Sequence, residues 1–445
     1  MLNHQNRNQT NMQTTNYLKS LLEQEKIRQQ TTLQLIPSEN YASTNVLEAC
    51  ASVISNKYAE GYPKKRYYQG NIIADEIEQI AIHNAKKIFG AQHVNVQPYS
   101  GSPANMAIFH SILKPGDKIM GLRLDLGGHL THGHTVNFSS RYYKSVPYGV
   151  DPVTHTLDYE EIRSLALKEK PNIIICGATA YPRTIDFAKF YAIAKEVNAY
   201  LLADISHIAG LIAGGVHPSP IPYADFVMTT THKTLRGPRG AIIMSKKEDN
   251  IVFIDSSLPE KDQQKLRDLT GKIDRAVFPG LQGGPHLNTI AGIAICLDEA
   301  SQPEFTIYAT QIIKNAQTLA KTLLSHNINL VTGGTDNHLI VIDLYKTLNQ
   351  QGLGKAIAQA LEQAGIITNA NTIPFDPSTP FNPSGIRLGT PALTTQGMKE
   401  PEMIQIADMI ATIIKNYTNE EIKQEIAKKV QTLCQKFPIY SVGQK

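Results

Sequence analysis

The stretch Asn198–Ser245, NAYLLADISHIAGLIAGGVHPSPIPYADFVMTTTHKTLRGPRGAIIMS, decides the fold. Its three apolar runs, NAYLLADIS, DFVMTTTH and GAIIMS, have strand length and are bounded by Gly, Pro or Asp, so each reads as a buried strand. Lys233 stands between an apolar run and a glycine-bearing turn, where a bulky charge has little structural purpose. With Thr230, Thr231 and His232 before it and Arg236 and Arg239 after it, its amine is expected to be partly desolvated and near other cations. Both effects lower the pKa of an amine and make it nucleophilic. The plainer alternative is a solvated loop lysine.

The same pattern extends outward. From about Ile72 to Ala300 the further strand candidates HVNVQPYS, DKIMGLRLD and PNIIICGAT alternate with helical patterns such as Ala74–Phe89 and Asp186–Val197. This spacing predicts right-handed crossover units, a mainly parallel α/β sheet flanked by helices, and ligands at the carboxyl ends of the strands. A helical pattern from about Phe305 to Leu324 leads into a second region, with strands near HLIVIDL and GIRLG and helices after them. The expected division is an N-terminal tail and arm over 1–34, a large domain over 35–300 and a smaller α+β domain over 301–445. A chain of 445 residues is long enough for that, since single cores usually stop growing well before this length.

Composition narrows the class of function. The chain is 42% hydrophobic and 18% charged, with no apolar run near the roughly 18 residues that a membrane-spanning helix requires. A formal charge of +4 with no dense Lys/Arg block points away from nucleic acid and towards anionic small molecules. Cys50, Cys176, Cys296 and Cys434 lie far apart, which fits a reducing compartment and predicts neither a zinc site nor a disulfide framework. A cytoplasmic protein is expected. The first twenty residues, rich in Asn, Gln and Thr, read as a floppy tail without the apolar segment of a secretory signal.

Several motifs add chemistry to Lys233. NAYLLADIS ends near Asp204, at the sheet edge where a cofactor rests; an acid there can keep a pyridine nitrogen protonated, although Asp also commonly caps a turn. PYSGSPAN, Pro98–Asn105, opens a helix after a strand, and its Ser, Gly and early Pro suit a phosphate cup on the helix N-terminus. In FPGLQGGPH, Gly283 and Gly284 permit close approach to a phosphate or form a plain turn. A nucleophilic lysine, an acid and a phosphate cup are the three things that pyridoxal 5′-phosphate (PLP) needs.

GGHLTHGH brings His129, His132 and His134 together; with no acidic or sulfur cluster to complete a metal site, no metal is expected, and His129 is assigned to stack on the flat cofactor ring. In SGIRLGTP, Arg387 can clasp a carboxylate bidentately or serve a structural salt bridge. NKYAEGYPKKRYYQG packs Tyr58, Glu60, Tyr67 and Tyr68 into one loop, where a carboxyl among rings is suited to shuttling protons.

With these residues quoted, the chain closely resembles the serine hydroxymethyltransferases, PLP enzymes of the aspartate aminotransferase fold type (fold type I). LIPSENY, NKYAEGYP, YSGSPAN, GGHLTHG, ADISHIAG, TTTHKTLRGPRG, FPGLQGGP and SGIRLGTPA occur in the family's order from about Leu35 to Thr394. The resemblance implies that Lys233 forms the Schiff base with PLP, that Asp204 pairs with the pyridinium, and that His207 contacts the phenolic oxygen. It implies that Ser100, Gly101 and Ser102 hold the phosphate, with Thr179 where many relatives have serine, and that Thr230 and His232 flank the lysine in a catalytic role. Ser38 and Arg387 would bind the amino acid. Tyr58, Glu60, Tyr68, Gly283 and Gly284 would complete the site, several of them from a partner subunit of a homodimer or dimer of dimers. Tetrahydrofolate contacts map to Leu124, Gly128, Leu130, Asn371, Thr379, Pro380 and Phe381. The implied reaction interconverts L-serine and tetrahydrofolate with glycine and 5,10-methylenetetrahydrofolate, in one-carbon and glycine/serine metabolism. The rivals are a folate-independent PLP enzyme such as a threonine aldolase, and a regulatory binding protein that keeps the fold. Lys64, Gln69 and Ala241 depart from the family's frequent glycines; the first two, near Tyr67, touch loop motion rather than reaction type.

Overall fold

Residues 2–252 and 257–440 are described by the computed structural model, with side chains from residue 14 onward. Seven strands build the central sheet: β1 His93–Asn95, β2 Lys118–Leu122, β3 Lys144–Tyr148, β4 Ile173–Cys176, β5 Tyr200–Asp204, β6 Phe226–Thr230 and β7 Ala241–Ser245, in the order β1-β7-β6-β5-β4-β2-β3. Strands β2 to β6 are mutually parallel, and β7 runs antiparallel to both of its neighbours. The four strands β4 to β7 are buried along their whole length, which is why they read as continuous apolar runs without alternation. Successive side chains still point to opposite faces. Ile174, Cys176, Leu201 and Ala203 pack on one side with the helices Ile72–Phe89 and Leu287–Ala300. Ile173, Ile175 and Leu202 pack on the other with Ala104, Ile108 and Phe109 of the helix Gly101–Ile112.

A second core forms around β8 Leu339–Asp343, β9 Asn369–Asn371 and β10 Gly385–Gly389, an antiparallel sheet in the order β8-β10-β9. The helix Pro303–Ser325 ties the two cores together: Phe305, Ala309 and Ile312 belong to the first, while Leu319, Ala320 and Leu323 belong to the second. The second core also takes Leu33 and Leu35, and Leu33–Gln34 pairs in parallel with Ile366–Ile367.

Two local features differ from the sequence expectation. Strand β3, KSVPY, has no apolar run to announce it, because it lies at the sheet edge with alternating exposure and can tolerate Pro147 there. The stretch read as a floppy tail is the helix Leu2–Thr31. No Gly or Pro interrupts the chain before Pro37. Glu25 bonds Arg28 at 2.6 Å and Gln29 at 2.8 Å, and Gln30 Nε2 donates to the Ile439 carbonyl at 3.0 Å. Residue 1 and the side chains of residues 2–13 lie outside the described part. Among the described residues no helix is long and apolar enough to cross a membrane.

Candidate active site

The carboxyl ends of β5 and β6 lie side by side because the strands are parallel neighbours, with Asp204 in register with Met228. Asp204 is the last residue of β5, and Lys233 follows β6 by three residues, so both reach one cleft. Lys233 Nζ donates to Thr230 Oγ1 at 2.6 Å, and its carbonyl accepts from Asn40 Nδ2 at 2.9 Å. Burial pulls the amine down to about 8; Asp204 opposes this, while Arg239 and Arg387 push the same way. Arg236 takes no part. Its guanidinium lies 4.3 Å from the Tyr308 ring centroid, so of the two expected arginines only Arg239 acts on the lysine, joined by Arg387 from β10.

Asp204 is held in a cage. Its Oδ2 receives Asn105 Nδ2 at 3.1 Å and lies 3.1 Å from His132 Nε2, and its Oδ1 receives the Ser206 amide at 3.1 Å and hydroxyl at 2.6 Å. Burial works against the charge, but the His132 hydrogen bond, with His129 and Ser206, outweighs it and keeps the carboxyl well below the usual range. Three of these holders were not assigned from sequence. His132 was visible in GGHLTHGH, but nothing in the chain pairs it with an acid 72 residues away. The same closure corrects the ligand count: ligand atoms of His129, His132 and Asp204 lie within 4.8 Å of one another, so the fold supplies the acidic neighbour that the histidines lack in sequence.

The residues present fit PLP. Ser100 sits at the N-cap of Gly101–Ile112 without a side-chain capping bond, so the first-turn N–H groups and both serine hydroxyls are at hand for a phosphate. A Cβ on Gly101 would come within 2.8 Å of Thr230 Cγ2, which keeps that approach narrow and free of a side chain. Ser38, Ser102, His129, Thr179, His207, His232 and Arg387 line the same cleft. Burial brings His129 down to about 4 and His232 to about 3, and takes His207 well below the usual imidazole value, so all three are neutral rings near pH 7. Arg387, pulled to about 10 by burial, bonds the Thr179 carbonyl at 2.7 Å and Asn369 Oδ1 at 3.1 Å, which leaves further donors of its fork for a carboxylate.

A second group gathers away from this cleft. Tyr58 Oη donates to Glu60 Oε1 at 3.2 Å, the Tyr58 and Tyr68 rings meet edge-on at 5.1 Å, and Tyr99 Oη donates to the Gly284 carbonyl at 2.8 Å. A Cβ on Gly283 would stand 3.1 Å from Glu60 Oε1, and one on Gly284 would stand 3.3 Å from the Tyr58 ring. None of these six lines the Lys233 cleft. Behind the loop, Arg66 Nη1 donates to the carbonyls of Ala59 and Gly61 on either side of Glu60, at 2.9 and 2.8 Å, while its other nitrogens bond Asp75 and buried Glu78.

The folate candidates also lie outside the cleft proper. Thr179 Oγ1 donates to the Gly128 carbonyl at 2.7 Å, and Gly128 has no room for a side chain against the Leu122 carbonyl. Leu124 and Leu130 start short 3-10 turns, Asn371 ends β9, and Phe381 is 82% exposed on the loop that also carries Thr379 and Pro380.

The family model for serine hydroxymethyltransferase matches residues 12–410. The chain belongs to the serine hydroxymethyltransferase family. A protein named serine hydroxymethyltransferase from Desulfotalea psychrophila is 53% identical over 419 residues, covering 94% of this chain and 93% of the relative. Namesakes from Methanosarcina barkeri, 53% identical over 94% of this chain and 96% of the relative, and from Acidothermus cellulolyticus, 51% identical over 94% of each, are similar throughout. The resemblance drawn from the motifs is thereby borne out, and with it the PLP fold type I, the transferase activity, PLP as cofactor and tetrahydrofolate as co-substrate.

Proposed function

We propose that the Lys233 cleft, completed by the Tyr58–Tyr68 loop and the Gly283–Gly284 turn of a second subunit, interconverts L-serine and tetrahydrofolate with glycine and 5,10-methylenetetrahydrofolate. The observation that carries this is one cleft holding an amine lowered to about 8, an ionised buried acid and an open helix N-terminus. Bound PLP supplies an electron sink for the α-carbon of the amino acid. Lys233 would hold the aldehyde carbon of that group through its amine, which donates to Thr230 Oγ1 at 2.6 Å, with His232 beside it in the cleft. Asp204, kept ionised by its cage, holds a proton on the pyridine nitrogen. Ser100, Gly101 and Ser102 would hold the phosphate, His129 the face of the ring, and His207 and Thr179 its polar edge.

Arg387 and Ser38 grip the carboxylate of serine and so fix its orientation. Glu60 moves the proton of the serine hydroxyl. Tyr58, Tyr68, Gly283 and Gly284 close the wall, and Leu124, Gly128, Leu130, Asn371 and Thr379–Phe381 hold the folate. A homodimer or dimer of dimers in the cytoplasm is the working form. The exposure of Val53, Tyr58, Tyr67, Tyr68 and Ile72 supports it, because such a patch is an unusual surface for a lone chain. The large domain over 35–300 carries the cofactor site and the small domain over 301–445 contributes Arg387. Exchange of the glycine α-proton with solvent tests the reading: tetrahydrofolate should accelerate it, and exchange indifferent to tetrahydrofolate would remove the folate half of the assignment.

A further inference from the structure

Behind the cleft lies a second, smaller cavity, and Ala178, Asp204 and His207 line both. Its room for the centre of a water molecule is about 20 Å³, enough for one. On its far side stand His338, just before β8, and His217, in the loop after the short helix Ala209–Ala213. The His338 and His207 rings lie edge to edge, with planes within 22° and centroids 5.5 Å apart, and the His338 Nε2 to His207 Nδ1 distance of 3.3 Å lets one ring donate to the other in plane. Two of the cavity's own nitrogens, His338 Nδ1 and His217 Nε2, are buried and have no hydrogen-bond partner among the described residues. Buried polar atoms are almost always satisfied, by water where protein does not reach.

We propose that one water in this cavity donates to both nitrogens, and that the resulting chain from Pro218 to His207 fixes His207 as an Nε2–H donor facing the cofactor. The assignment of His207 to the phenolic oxygen is the reading given above, and this proposal deepens it.

The tautomers follow one another in order. His217 Nδ1 lies 2.9 Å from the Pro218 carbonyl, which can only accept, so Nδ1 carries the proton and Nε2 of the neutral ring is an acceptor. Burial keeps His217, His338 and His207 neutral, so each ring carries a single proton. A water that donates to His217 Nε2 and His338 Nδ1 leaves the His338 proton on Nε2. That proton goes to His207 Nδ1, and the His207 proton is then on Nε2, towards the cleft. An anionic phenolic oxygen is best met by a donor there. Arg183 also lines the cavity, held by Asp336 at 2.8 Å. His338 is thus a positioning residue, supplied by the second core to a site built on the first.

Neutron diffraction from crystals of the full-length holoenzyme in deuterated solvent tests the chain directly. Deuterium is expected on His217 Nδ1, His338 Nε2 and His207 Nε2, with one water bonded to His217 and His338. Deuterium on His207 Nδ1, or a cavity without water, overturns the proposal. Kinetics provide a second arm. His338→Phe should lower kcat about ten- to a hundredfold with little change in the KM for serine and should shift the visible absorption of the bound cofactor. His338→Gln, whose amide can still donate to His207, should recover most of both; a Gln variant as impaired as Phe overturns it. His207→Ala separates the two readings: unchanged cofactor absorption with the expected proton positions would remove the contact to the phenolic oxygen, and with it the cofactor end of the relay.

Discussion

The cleft around Lys233 and the loop around Glu60, both proposed to serve the same reaction, are built in opposite ways. The first is walled by strand ends from one chain, and burial acts on the titration of its amine, its acid and the His129, His207 and His232 rings. The second is rigid behind, through the grip of Arg66 on the Ala59 and Gly61 carbonyls, yet open in front, where Tyr58 is 54% and Tyr68 is 47% exposed. A site made by one chain can desolvate its own groups. A half-site offered to a neighbour, as proposed for this loop, must hold its shape while still wet, and the Arg66–Glu78–Gln97 network directly beneath half-buried Glu60 meets that need.

That contrast can be broken most sharply at Lys233. Lys233→Ala should cut multiple-turnover activity on the order of 10⁴-fold or more, measured as kcat for serine cleavage; an unchanged rate would show that the walled cleft is not where the reaction runs. Next in size, Glu60→Gln should cost about 10²- to 10⁴-fold in kcat, as loss of a proton carrier does. Coexpressing these two inactive variants sharpens the comparison. If Glu60 serves the opposite subunit, a hybrid dimer has one doubly damaged and one intact site and regains about half of the wild-type activity per dimer. Hybrids that stay inactive would place Glu60 in its own chain's cleft.

Smaller effects probe the frame. Arg66→Ala leaves Glu78 buried without its cation and should destabilise the fold by about 3–5 kcal/mol in denaturant titration, with the Lys233 cleft still able to bind cofactor. The last test is one of pH. The neutral amine is the form that attacks an aldehyde, and burial lowers Lys233 from 10.5 to about 8. The rate of PLP uptake by cofactor-stripped protein should therefore rise with pH and level off above about 8. A rate still climbing towards 10 would mean that the lysine is solvated.

Much of the walled cleft was legible in the chain because strand ends in a parallel sheet announce themselves: a run of apolar residues that closes on Asp204 or Thr230 places those residues at one edge before any packing is known. Edge strand β3 was not legible, since one wet face removes the apolar signal. The helix over Leu2–Thr31 was hidden by its Asn- and Gln-rich composition, which masks the absence of any helix breaker.

By itself the sequence determined the alternating strands and helices, the lysine, the acid and the phosphate cup, because each depends on a short stretch and on the direction of a strand. Only the tertiary structure decided which side chains surround them. His132 and Asn105 on Asp204, Arg387 rather than Arg236 beside Lys233, and His338 behind His207 from 131 residues away are contacts between distant segments. Their partners are set by how two cores pack against each other, and no local pattern of residues encodes that.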